Sequence, residues 1–286
     1  EIDALLNEIN QQMSTYLPDS ELSRFNAQRT TDWVEVSPEL YTVVATAQHI
    51  SQLTEGAFDI SVGPLVNLWG FGPDPARDSA PPLESIEALR DRVGYRLLAL
   101  RETPPALKKQ HPEMYLDLSA LAKGYGVDRV AALLDSKGMH DYLVEIGGEL
   151  KLSGLNTRRE PWHIAIEKPT PEWRMVQKII PVTDIGVATS GDYRNYFEQN
   201  GKRYSHTIDP ATGYPIAHTL ASVTLLAPSS MLADAWATAM MVLGPERGMA
   251  VAVERKLAAY FLIKRDEGFA EQATPEFQRL IGESTH

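Results

Sequence analysis

Tyr142-Leu143-Val144-Glu145-Ile146-Gly147-Gly148-Glu149-Leu150-Lys151-Leu152-Ser153 reads as two short strands, Tyr142–Ile146 and Glu149–Ser153, with Gly147-Gly148 as the turn between them. Trp162–Glu167, Ile179–Thr183, Leu220–Leu226 and Ala258–Lys264 read as further strands. They come in neighbouring runs rather than in strict alternation with helices. That pattern predicts an α+β fold and argues against a doubly wound α/β sheet.

Helices are expected around these strands. Ile2, Leu5, Leu6, Ile9 and Met13 recur at helical spacing at the start of the chain. The turn-rich Ser14–Ser20 loop follows. Ser37 can cap a second helix, with Pro38 in its first position and Gly56 as its stop. Residues 57–82, with Gly63-Pro64, Gly72-Pro73, Pro75 and Pro81-Pro82, read as irregular. A helix around 83–92 and a strand around 95–100 come next, then a short strand at Met114–Leu118. Lys123–Lys137 reads as a helix stopped by Gly138. Another begins after Ser229-Ser230 and ends near Gly244, where Pro245 can open one more.

Composition narrows the function. A formal net charge of −11 over 286 residues, with no basic stretch, argues against a nucleic-acid partner. The same field repels polyphosphate, so a bound nucleotide would need a cation. The absence of cysteine excludes disulfides, thiolate metal sites and cysteine nucleophiles. No stretch of about 18 apolar residues is present to span a membrane. The chain opens directly in a helical pattern, so an upstream export segment is expected to have been removed. Gly-rich P-loop, zinc-protease, nucleophile-elbow and dinucleotide fingerprints are all missing.

Four segments could carry chemistry. In Asp117–Gly126 a strand gives way to a helix whose free N–H groups suit phosphate, and Lys123 adds a cation; an ordinary capped helix start would look the same. Asp234 and Thr238 share a helix face four residues apart. Both are hard oxygen ligands for magnesium if phosphate and a backbone carbonyl complete the shell, although an acidic residue in a first turn needs no metal to explain it. Thr189–Asn195 and Ser205–Gly213 place small hydroxyls beside glycine. There His206 could serve as a general base, or as a satisfied surface histidine. Tyr16, Phe58, Trp69 and Phe71 could stack on a flat heterocycle, with core packing the alternative for at least two of them.

Taken together, these segments resemble the ApbE family, the FAD:protein FMN transferases once labelled thiamine-biosynthesis lipoproteins. The resemblance runs through Ser14-Thr15-Tyr16, Gly56-Ala57-Phe58-Asp59, Gly63–Phe71, Asp117–Asp128, Gly147-Gly148, Thr189-Ser190-Gly191, Ser205–Gly213 and Ala233-Asp234-Ala235-Trp236. It implies a single ApbE-like domain over residues 1–286, with mixed or antiparallel sheets and two lobes around an FAD cleft. It implies FAD contacts at Tyr16, Ala57, Phe58, Asp59, Asp117, Lys123 and Thr207. It also implies Mg²⁺ held by Asp234, Thr238 and the Ala120 carbonyl. FAD would be the substrate, a Thr or Ser hydroxyl of a membrane redox subunit the acceptor, and AMP the leaving group, with His206 as base. Members are usually exported to the periplasmic face of the inner membrane, often through a lipid anchor, and carry an upstream Met-Gly-Thr strand that this chain lacks. Two other readings use the same residues: an FAD pyrophosphatase, with water as acceptor, and a carrier that stores FAD without turnover.

Overall fold

A computed structural model describes residues 1–73, 79–170, 175–193 and 195–283. These form two compact units: Glu1–Ala122 with Tyr196–Ala217, and Lys123–Asn195 with His218–His286.

The first unit is mainly helical. Helix α1 (Ile2–Met13) turns its Ile9 and Met13 inward, as the spacing predicts. Helix α2 (Glu21–Ala27) was not expected from the sequence. Ser20 starts it by accepting from the Ser23 N–H, and Leu22 and Phe25 anchor it in the core. Strand β1 (Val34–Glu35) precedes α3 (Pro38–Leu53), which Ser37 caps at the Leu40 N–H. Helix α3 ends before Gly56, because Glu55 already takes a positive φ of 54° and the Gly56 N–H closes on the Ser51 carbonyl.

The expectation of irregular chain over 57–82 is corrected in part. A 3-10 turn at Ile60–Val62 runs into a short helix, α4 (Gly63–Leu68). Pro64 favours that helix because it sits at its opening, where no intrahelical N–H is needed. The Pro75 part of that stretch lies outside the described residues. Helix α5 (Leu83–Arg90) agrees with expectation. The strand expected at 95–100 begins with a 3-10 turn, Tyr95–Leu97. Regular pairing starts only at β2 (Leu98–Arg101), which joins β3 (Ala106–Lys109) in an antiparallel sheet of order β1-β3-β2. Met114–Leu118, read as a strand from the sequence, forms no ladder. Its backbone is met instead by the Asn26 side chain, through Leu116, and by the Ile60 carbonyl, through the Asp117 N–H.

The second unit is built on one antiparallel sheet. Helix α6 (Ala122–Ser136) leads into β4 (Tyr142–Ile146) and β5 (Glu149–Ser153), paired across the Gly147-Gly148 turn. A two-stranded ribbon follows, β6 (Trp162–Glu167) with β7 (Val176–Val182). Strand β8 (Ile185–Gly191) returns to the sheet. In the first unit, β9 (Tyr196–Gln199) and β10 (Lys202–Ser205) form a hairpin. The second unit then adds β11 (Leu220–Ala227), helix α7 (Ser230–Glu254), β12 (Ala258–Lys264), β13 (Phe269–Ala273) and α8 (Pro275–Glu283). The sheet order is β13-β12-β11-β8-β5-β4.

A core of Leu152, Ile180, Val187, Tyr260, Leu262 and Phe277, among others, seals one sheet face beneath the β6–β7 ribbon and α8. Helix α7 covers the other face. Its polypeptide continues through Pro245 with a kink at Gly244 (φ 78°, ψ −176°), at the break the sequence marks. Strand β8 was not read as a strand because it is poor in bulky residues. Gly186 explains why: a Cβ there would lie 2.4 Å from the Ser229 carbonyl carbon, where the chain enters α7. The fold class expected from the sequence, α+β with antiparallel sheets and helices, is the one observed.

Candidate active site

In the second unit, three polar side chains gather where α6 begins. Asp234, one turn into α7, is only 4% exposed, and its Oδ2 accepts the Gly124 N–H at 3.2 Å. Gly124 permits this contact. A Cβ there would fall 2.5 Å from the Ser230 carbonyl oxygen, so the absent side chain lets α6 press onto the start of α7. Asp128, one turn further along α6, accepts the N–H groups of Ser230 (2.8 Å) and Met231 (2.9 Å) and so caps α7. The two helices therefore fix the Asp234 carboxylate against the α6 first turn.

Lys123 extends from that turn to Glu149, Nζ to Oε1 at 2.5 Å. Burial pushes the Asp234 carboxyl up to about 7; the nearby Lys123 ammonium opposes that rise, and the Glu149 carboxylate adds to it. Burial likewise raises Glu149, against the pull of Lys123. Thr238 follows Asp234 by one turn of α7, and its hydroxyl lies 3.4 Å from that of Ser190 on β8. Thr189, on the opposite face of β8, is engaged with Thr224 instead, at 2.8 Å. Only the second hydroxyl of the Thr189-Ser190 pair thus faces the Asp234 helix.

Among the described residues, no three His, Cys, Asp or Glu side chains gather as a metal site. Asp234 and Thr238 still fit a hard divalent cation. A dehydrated carboxylate held by one backbone N–H gains most from a nearby positive charge, and the hydroxyl one turn away is an oxygen donor.

The first unit holds the other sequence candidates. Asp59 is almost fully buried with both oxygens occupied. Oδ1 accepts from the Ser61 N–H and hydroxyl, and Oδ2 accepts from the Tyr95 N–H at 2.6 Å. Burial raises its pKa, and these hydrogen bonds counter the rise. The Phe58 ring is in the core, and Ala57 is half-buried. Asp117 accepts from the Ser119 N–H at 2.8 Å and from its hydroxyl, and its N–H donates to the Ile60 carbonyl, so Asp59 and Asp117 flank one backbone contact. Ala120 is half-buried in the turn leading to α6. Tyr16, 66% exposed, stands free of the core at the end of the α1 loop.

Among the aromatic candidates, Trp69 is buried. Its indole N–H donates to the Gly213 carbonyl at 2.8 Å, and its ring stacks with Tyr204 and Phe197. Phe58 and Trp69 thus take the core role. Phe71 packs on Phe197 and, edge-on, on His206, whose ring is half-buried beside it. Thr207 follows, its N–H on the Ser205 hydroxyl and its carbonyl on the Ile216 N–H. Arg194, quoted with the Thr189 segment, lies outside the described residues.

Sequence reasoning gave no role to Glu149 or Asp128, and took Ser190 only as one of the small hydroxyls beside Gly191. Glu149 stands at a strand end beside a glycine turn, where a charged residue ordinarily faces water. Its only signal is the position directly after Gly147-Gly148.

Comparison with known proteins agrees with this picture. A family model described as the ApbE family matches residues 1–261. An FAD:protein FMN transferase of Vibrio cholerae is 52% identical over 281 residues, covering 98% of this chain and 84% of its own. One from Escherichia coli K12 is 42% identical over 282 residues, covering 98% and 80%. Among solved structures, the flavin transferase ApbE of Vibrio cholerae superimposes with a TM-score of 0.91 at 50% identity, covering 98% of this chain and 88% of that one. The apo flavinyl transferase ApbE of Pseudomonas stutzeri gives 0.89 at 41% identity, covering 98% and 87%. The chain belongs to the ApbE family.

Proposed function

We infer that this chain carries the activity for which its relatives are named: it is an FAD:protein FMN transferase, an enzyme that moves FMN from FAD to an acceptor protein. The observation that carries this reading on the chain's own residues is the buried Asp234 carboxylate fixed at the α6 N-terminus beside Lys123. An electropositive helix start with an adjacent lysine suits phosphate, and a carboxylate beside it suits the cation that phosphate brings.

The finer chemistry is proposed as follows. The acceptor is a Thr or Ser hydroxyl. Its oxygen bonds to the FMN-side phosphorus of FAD, the bond from that phosphorus to the bridging oxygen breaks, and AMP leaves with that oxygen. Asp234 and Thr238 would hold Mg²⁺, which when bound would neutralise charge on the pyrophosphate. Such transfers depend on positioning and charge more than on covalent help. Lys123 and the positive N-terminal end of α6, whose Gly124 N–H is already held by Asp234, bind phosphate. His206 takes the proton of the incoming hydroxyl. The Ala120 carbonyl as a cation ligand, and Tyr16, Ala57, Phe58, Asp59, Asp117 and Thr207 as FAD contacts, remain proposals drawn from the resemblance. In Phe58 the ring is buried, and in Asp59 both carboxylate oxygens already accept hydrogen bonds from Ser61 and Tyr95.

We further propose that residues 1–286 act as one functional domain. The proposed setting is the periplasmic face of the inner membrane, where a redox subunit would be the acceptor. Among the described residues no helix is long and apolar enough to cross a membrane. Incubation with FAD, Mg²⁺ and a candidate acceptor tests the activity. A fluorescent acceptor that has gained the mass of FMN, with AMP released, is expected. Free FMN with AMP would indicate a pyrophosphatase, and intact FAD a carrier.

A further inference from the structure

Three charges share the α6 start: the ammonium of Lys123 and the carboxylates of Glu149 and Asp234. Lys123 acts electrostatically on both acids, yet its hydrogen-bonded ion pair is with Glu149. Glu149 is 4% exposed, whereas the Lys123 side chain is 44% exposed, so the anchor is the rigid member and the lysine the mobile one. The Gly147-Gly148 turn backs this pair. Gly147 has φ +63°, and a Cβ on it would come 3.3 Å from Lys123 Cδ and 3.6 Å from Glu149 Oε2.

The second oxygen of Glu149 is informative. Oε2 is buried and has no hydrogen-bond partner. An acid kept only for structure would have both oxygens satisfied, as Asp59 does through Ser61 and Tyr95. An orphaned buried acceptor carries a desolvation cost, whereas Oε1 makes the ion pair with Lys123. Without that partner, the flexible lysine stem would be free to swing to the other nearby anion, Asp234, and neutralise it internally.

We propose that Glu149 is a positioning residue that holds the Lys123 ammonium off Asp234, leaving that carboxylate to a divalent cation. This rests on the assignment of Asp234 to the cation, and the test separates the two. The metal-free full chain is titrated with MnCl₂ alone, with free Mn²⁺ followed by electron paramagnetic resonance, and the result is repeated with MgCl₂ by calorimetry. Glu149→Gln keeps the shape but removes the charge. It is expected to weaken cation binding about tenfold, within the usual range of coupling between neighbouring groups. Removing the lysine as well, in Lys123→Met/Glu149→Gln, is expected to restore binding to at least the wild-type level. Lys123→Met alone, at an exposed side chain, is expected to bind the cation more tightly than wild type. Wild-type-like binding by Glu149→Gln would overturn the proposal. So would a double variant as weak as Glu149→Gln, since Glu149 would then act on the cation directly. If wild type binds no cation and Asp234→Ala changes nothing, the underlying assignment of Asp234 fails instead.

Discussion

The Nε2 of His218 lies 2.8 Å from the carbonyl oxygen of Met241, the carbonyl that Pro245 leaves without an intrahelical donor. A proline has no N–H, so the i−4 carbonyl of an α-helix through it is orphaned. Because a carbonyl only accepts, Nε2 carries the proton. Nδ1 is then the acceptor for the Leu220 N–H at 3.3 Å. Gly244 leaves room for this, since a Cβ there would come 2.8 Å from the imidazole ring. His218→Ala is expected to destabilise the protein by about 1–3 kcal/mol, the usual cost of stranding a buried acceptor. Urea unfolding should show a lower midpoint with an unchanged slope; an unchanged midpoint would mean that water replaces the imidazole.

The same residue sets a pH dependence. Burial lowers the pKa of His218, with the Met241 carbonyl and Asp192 opposing and Lys264 adding to the fall. The folded state therefore takes up this proton less readily than the unfolded chain, so stability is retained above the unfolded value of about 6.5 and lost as pH falls below it. Wild type should lose stability between about pH 7 and 5 more steeply than His218→Ala. Parallel curves for the two proteins would remove His218 as the cause.

Gly124→Ala should be more disruptive than a helix-favouring substitution suggests. The new methyl would meet the Ser230 backbone at 2.5 Å, and a main-chain neighbour cannot swing aside. Overpacking of this kind costs about 1–3 kcal/mol. It should also part Asp234 from the Gly124 N–H, so thermal midpoint and transfer rate should fall together. A variant as stable as wild type would show that α6 and α7 can separate freely.

Much of this arrangement was legible in the sequence, because it rests on local chemistry. Ser37-Pro38, Gly138 and Gly244-Pro245 punctuate their helices through backbone requirements that neighbours hardly alter. Asp234 and Thr238 share a face through helical period alone. What escaped depends on distant partners. Strand β8 is small-residued because α7 lies against Gly186, and Glu149 is buried because Lys123 reaches it. Met114–Leu118 looked like a strand but satisfies its backbone through Asn26 and Ile60 instead of a ladder.

Tyr16 offers a separate test of flavin recognition, since an exposed ring at a loop tip contributes little to the core. Tyr16→Ala is expected to weaken FAD binding by about 1 kcal/mol, the scale of an aromatic contact, without lowering the thermal midpoint. Unchanged affinity in a fluorescence titration would take Tyr16 out of the flavin site.

For His206, packed against Phe71, the expected effect is on rate. General-base help is worth about 10² to 10⁴, and a loose phosphoryl-transfer transition state places the effect near the lower end. His206→Asn should slow FMN transfer about a hundredfold with FAD binding intact. Loss of FAD binding would make the residue a ligand contact, and no change would make it a packing histidine.

The most direct test of the account is FMN transfer by Asp234→Ala at limiting magnesium, followed as acceptor mass. Removing the buried carboxylate at the α6 N-terminus is expected to cut the rate at least about a hundredfold, equivalent to roughly 2.7 kcal/mol of transition-state stabilisation. Transfer near the wild-type rate under those conditions would contradict the assignment of Asp234 to the cation.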